Sequence, residues 1–225
     1  MAKVKITGHA SGTGVLTVTA PNTSSDRTIT LPDATGTLLN SDGDGSSLTG
    51  VGGGLVLISS SEASNVSSVD FTGLDSSTHV MYMMTWEDLV PAVDASDVSF
   101  RVGDAGGFDS GASDYEFHRG SVNSGSTSYS AGVDASHDAI VFSGNTGNST
   151  NESANGYMYL YGIGSTTCHP SIHGAFMHRN NAAGGQLGWC GGFRIASITC
   201  DRVQIFFDAG NISTGRVSLY GLAYA

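Results

Sequence analysis

The sequence predicts an all-β chain: a short intertwined N-terminal β-stem followed by an antiparallel β-sandwich or jelly-roll-like domain. Three observations carry that reading. Charged residues are 13% of the 225, about half the ~25% of an average soluble domain, too few to give amphipathic helices their polar faces. Gly occurs 32 times and Pro only 4 times, so small residues set the turns. The apolar content of 39% exceeds that of a disordered tail and lies in short runs between turn residues, the pattern of strands.

Residues 1–39 form the first region. Its runs are Val4-Lys5-Ile6, Val15–Thr19, Thr28–Leu31 and Thr37–Leu39, separated by Gly12, Gly14, Pro21-Asn22, Pro32-Asp33 and Gly36. Strands this short bury too little to stand alone. They gain a core when copies from several chains wrap one axis; the alternative is a small hairpin lying on the larger domain. Residues 40–54 (NSDGDGSSLTGVGGG) are a Gly/Ser-rich linker. Asp42-x-Asp44-x-Ser46 resembles the opening of a calcium loop, but Gly53 stands where the bidentate Glu belongs, so a turn is the better reading.

Residues 55–225 hold the core. The expected strands are Leu55–Ser60, Val66–Phe71, His79–Trp86, Val98–Val102, Tyr115–Arg119, Ala139–Phe142, Tyr157–Ile163, Ser171–His178, Trp189–Ile195, Arg202–Phe207 and Gly215–Leu222. Tyr157–Tyr161 and Val203–Phe207 are the clearest, dense in aromatic and β-branched residues. No helical pattern separates them, so the pairing is expected to be antiparallel. Met81-Tyr82-Met83-Met84 breaks alternation, as a strand covered on both faces or at a subunit contact does.

Charge removes several function classes. Twenty acids against nine bases give −11, and the bases form no stripe to meet a phosphate backbone or an anionic membrane. No apolar stretch reaches the ~20 residues of a membrane helix. Residues 1–20 have no apolar h-region. The N-x-S/T triplets at Asn22, Asn65, Asn148, Asn151 and Asn211 are therefore read as turn chemistry. Cys168, Cys190 and Cys200 are an odd set, expected to be reduced, or one bridge plus a spare thiol.

Gly12–Leu39 (GTGVLTVTAPNTSSDRTITLPDATGTLL) resembles a run common in bacteriophage tail fibres and other virion fibres, and SDGDGSSLTG (Ser41–Gly50) resembles the joint that often follows it. The C-terminal part is similar to a phage structural β-domain, through Leu55–Ser60, Val69–Leu74, Asn211–Gly215 and Val217–Leu222. The resemblance implies a trimer with a threaded stem and a globular head. The chain departs from a long tail fibre in lacking a large N-terminal adaptor domain.

Candidate sites are weak. No G-x-S-x-G, Walker, H-E-x-x-H or paired C-x-x-C motif occurs. His137-Asp138 and Asp75…His79 are the spacings that Ser-rich chains produce by chance. Asp104, Asp109, Asp114 and Glu116 read as solvated loop acids, with a Ca²⁺ loop as the sharper alternative. Cys168, His169, His173, His178 and Cys190 are zinc-ligand types. On a strand, though, His173 and His178 face opposite sides unless Gly174 supplies a bulge. Trp86, Tyr115, Tyr129, Trp189 and Tyr224 are of a type that stacks on sugars, and equally of a type that fills cores and interfaces.

The expectation is a non-enzymatic virion protein without a cofactor, made in the host cytoplasm. It would be a homotrimer on the particle surface, a decoration, cement or short head fibre bound to the major capsid protein or another virion protein. Lys3, Lys5 and Ile6 are the expected capsid-anchoring residues, since the only two lysines precede an acidic body. The alternative is a short tail fibre or tail-tip adhesin that binds a host-surface glycan. A polysaccharide depolymerase is the third reading, but the tandem repeats of a β-helix are missing.

Overall fold

The computed structural model describes residues 54–223, together with Ser11, Thr13 and Ser24. The chain divides into two units, Met1–Leu48 and Thr49–Ala225, and every strand below belongs to the second. The expected stem strands, Lys3, Lys5, Ile6, the Asp42–Ser46 turn and Tyr224 lie outside the described residues.

Among the described residues the chain is all-β, with thirteen strands in two antiparallel sheets. The larger sheet has eight strands: β1 (Leu55–Val66), β3 (His79–Pro91), β6 (Tyr115–Asn123), β7 (Tyr129–His137), β9 (Ala154–Tyr161), β10 (Ser171–Arg179), β11 (Gly185–Arg194) and β13 (Ile212–Ala223). Their order across it is β1-β13-β3-β9-β10-β11-β6-β7. The smaller sheet holds β2 (Ser68–Thr72), β4 (Val98–Asp104), β5 (Gly107–Phe108), β8 (Ile140–Val141) and β12 (Arg202–Phe207). It runs β2-β12-β4-β5, with β8 also paired to β4.

Alternation decides which face each residue takes. In β3, Tyr82, Met84 and Trp86 point inward and are buried; in β9, Met158 and Leu160 do so, and in β10, Ile172 and Phe176. The smaller sheet answers with Val98, Phe100 and Val102 of β4 and Val203, Ile205 and Phe207 of β12. Trp86 bridges the layers: its ring lies 5.2 Å from Phe100 and 5.7 Å from Phe142, edge-on to the latter. The two phenylalanine rings meet at 4.7 Å. Gly156, opposite Trp86 in the ladder, leaves the indole its space, since a Cβ there would overlap the ring.

The structure adds two strands to those expected, β5 and β7. β7 (YSAGVDASH) has no buried residue, so its sequence carries no burial pattern to read. β1 runs on through Ser61–Asn65, where Ala63 reaches the core, because its pairing with β13 continues along its length. Met81 and Met83 sit on the outer face, half-buried, while Tyr82 and Met84 fill the core. The broken alternation therefore marks a strand that is apolar on both sides.

Candidate functional site

The loop acids are organised by a cation that the chain itself supplies. Arg194, at the end of β11, places Nε 2.7 Å from Asp109 and Nη2 3.2 Å from Asp114. Its Nη1 donates to the Asp114 carbonyl at 3.3 Å. Asp104 accepts from the Gly106 amide at 2.8 Å and closes its own turn. The Ca²⁺-loop alternative is thereby answered differently for Asp109 and Asp114, whose partner is Arg194. Sequence reasoning missed this residue because it lies 85 positions beyond Asp109.

The zinc-type residues are not brought together. β10 pairs without a break with both neighbours through Gly174, so no bulge turns the strand. His173 is exposed on the outer face and His178 is buried on the inner one. Cys168 is exposed, whereas Cys190 and Cys200 are buried. No group of three or more His, Cys, Asp or Glu side chains among the described residues is arranged to hold a metal ion. Burial pushes the Cys190 thiol up to about 12 and the Cys200 thiol to about 11. Burial likewise pushes His178 down to about 4, opposed by the Gly144 backbone and reinforced by Arg119. His178 is therefore a neutral imidazole.

The two His/Asp spacings give no relay of the kind a nucleophilic serine needs. His137 Nδ1 lies 3.0 Å from Asp138, but Asp138 is held at 2.5 Å by Arg101. His79 Nδ1 bonds Thr78 at 2.8 Å, while Asp75 accepts from the Ser77 amide and hydroxyl.

Two surfaces stand apart. The first is the outer face of the eight-stranded sheet. Adjacent outward residues on neighbouring strands form apolar rows: Ala175 beside Tyr157 and Trp189, and Met177, Leu187, Val122 and Tyr129 in ladder register. Tyr157, Met177, Leu187, Trp189, Phe193 and Tyr129 are 42–61% exposed. The five candidate aromatics thus divide. Trp86 and Tyr115 are core; Tyr129 and Trp189 stack at the surface, their rings 5.3 Å apart and inclined by 23°. The sequence flagged Tyr129 and Trp189 as a type but could not pair them, because the strand that carries Tyr129 has no burial pattern.

The second surface is a cleft on the inner side of β6 and β7. β8 packs over β6 and β11, and the larger sheet continues beyond it through β7. There the inward positions turn from apolar to polar: Arg119, Ser121 and Asn123 on β6, and Ser130 on β7.

No protein-family model, curated protein or solved structure matches this chain.

Proposed function

We propose that the chain is a non-enzymatic structural subunit of a bacteriophage particle, a homotrimer held on the capsid surface by its N-terminal segment as a decoration, cement or short head fibre. The observation that carries a subunit role is the apolar outer face of the eight-stranded sheet. Tyr157, Met177, Leu187, Trp189 and Tyr129 there are 42–61% exposed and, with Ala175 and Val122, occupy adjoining ladder positions, more than a lone soluble domain ordinarily leaves to water. A second copy of this chain is the occupant, since the short Thr-rich runs up to Leu39 also need partner chains to form a core. The phage setting comes from the resemblance of Gly12–Leu39 to virion fibres.

The second reading is a short tail fibre or tail-tip adhesin, and the exposed Tyr129–Trp189 stack favours it. One imaging experiment separates the two. Particles carrying labelled protein show label over the whole capsid in the first case and at the tail tip in the second. Light scattering of the purified chain should give a trimer. Met177→Lys with Leu187→Lys, which places charge on the outer face without touching the core, should shift it toward monomer. A wild-type chain that stays monomeric at high concentration overturns the assembly reading.

A further inference from the structure

A polar cleft lies where the larger sheet runs on past the smaller one. A sandwich buries its inner faces, so inward positions that are polar and open need a reason. Here the smaller sheet stops short and the larger one goes on. The cleft encloses about 260 Å³ and is lined by Arg119, Ser121, Asn123, Ser130, Asn145 and Gln186. Phe176, almost fully buried, closes its floor.

The lining has a definite chemistry. Ser hydroxyls and Asn and Gln amides both donate and accept, whereas phosphates and carboxylates ask only for donors. The charge is balanced. Arg119 Nη1 lies 3.4 Å from Asp97 and donates to the Ser143 carbonyl at 3.1 Å. Asp97 accepts in turn from the backbone N–H of Asn145 at 2.6 Å. His178, beside Phe176, is neutral and adds no positive charge. Gly132 leaves the Arg119 side chain its room, since a Cβ there would come within 3.0 Å of Nε. A surplus cation is absent, and the −11 of the whole chain repels anions. The volume is below the ~300 Å³ at which drug-sized pockets begin. A compact neutral molecule dense in hydroxyls meets these terms.

We propose that the cleft bounded by Arg119, Ser121, Asn123, Ser130, Asn145 and Gln186 binds one neutral pyranose ring of a saccharide. The site lies on the opposite side of the sheet from the apolar outer face, so it stays open whether or not that face is covered by another copy. It does not depend on where the protein sits on a particle.

The test is saturation-transfer NMR and calorimetric titration of the full chain with methyl glucoside, methyl galactoside and N-acetylglucosamine, with methyl glucuronide as the charged probe. At least one neutral sugar should bind in the millimolar range. Gln186→Leu and Ser130→Val each remove one polar partner at the open side of the cleft. Each should weaken binding about fivefold, the loss expected from one hydrogen bond. If one variant does not fold, the other still decides. Failure of all three neutral sugars to bind, binding of the glucuronide alone, or binding that both variants leave unchanged overturns the proposal. None of these results bears on oligomeric state or position on the particle.

Discussion

The Tyr129 ring reaches diagonally over Gly120 and stacks on Trp189, 5.3 Å from centroid to centroid. Gly120 makes the pair: its position pairs with Trp189 on β11 and Ala131 on β7, and any Cβ there would overlap the Tyr129 phenol. A bare backbone on β6 gives the two rings a shared floor. A stacked aromatic pair is worth about 0.5–1.5 kcal/mol beyond its burial.

Gly120→Val should therefore push Tyr129 off Trp189. Trp86, the other tryptophan, is buried, so acrylamide quenching reports on Trp189. Quenching should rise in Gly120→Val and in Tyr129→Ser, with stability lowered by about 1 kcal/mol. Unchanged quenching in both variants would show that the stack does not form in solution.

Trp86→Ala should be the costliest core change among those considered. It removes the ring that joins Phe100 and Phe142, and it leaves a cavity under Gly156, which has no side chain to fill it. The expected loss is about 3–5 kcal/mol in urea unfolding. A loss below ~1 kcal/mol would mean that the sheets re-pack around the hole.

Thiol chemistry should separate the three cysteines. Cys168 is exposed, while Cys190 and Cys200 are buried with thiols pushed up to about 12 and about 11. A colorimetric thiol reagent at neutral pH should titrate one group in the native protein and all three in denaturant. Rapid native reaction of more than one group contradicts the burial of β11 and of the turn before β12.

Stability should fall on mild acidification. Folded His178 stays neutral down to about 4, whereas an unfolded histidine takes up its proton near ~6.5. Between those values the unfolded chain binds more protons, so stability rises with pH and levels off above ~6.5. The contribution is at most about 3 kcal/mol. Asp97 acts in the opposite sense. Burial raises its pKa, so in the acid range just above the ordinary carboxylate value the folded chain binds more of a proton there than the unfolded chain, and this part of the stability falls as pH rises. His178→Leu should remove the His178 part of the rise, measured as urea midpoints from about pH 4.5 to 7.5. An unaltered slope in the variant would assign the pH dependence to other groups.

In β12 a buried face made the strand legible in the sequence. Arg202–Phe207 was expected with the bounds it has, because Val203, Ile205 and Phe207 alternate with residues of the open face. β7 was illegible for the converse reason, since neither of its faces is buried. The surfaces depend on that strand. Tyr129 and Ser130 are neighbours in sequence, yet one belongs to the aromatic stack and the other to the polar cleft. Arg194 was hidden by distance along the chain, and no local spacing points from it to Asp109 and Asp114.

The place of β13 governs how the domain is made. It lies between β1 and β3 in the larger sheet, hydrogen-bonded to both. Ser60 meets Ser218 across 158 positions of sequence. During synthesis, at ~5–20 residues per second, β1 waits on the order of ten seconds or more for β13, its ladder partner among the described residues. β3 gains β9 earlier but keeps one side bare until residues 212–223 emerge. Such long-range pairing is slow to nucleate. The nascent chain meanwhile displays Leu55–Ile58 on an unpaired edge, the state in which strands join the wrong neighbour. Removing residues 212–223 would leave both strands permanently in that state, so a short C-terminal truncation should yield insoluble protein, not merely a shortened domain.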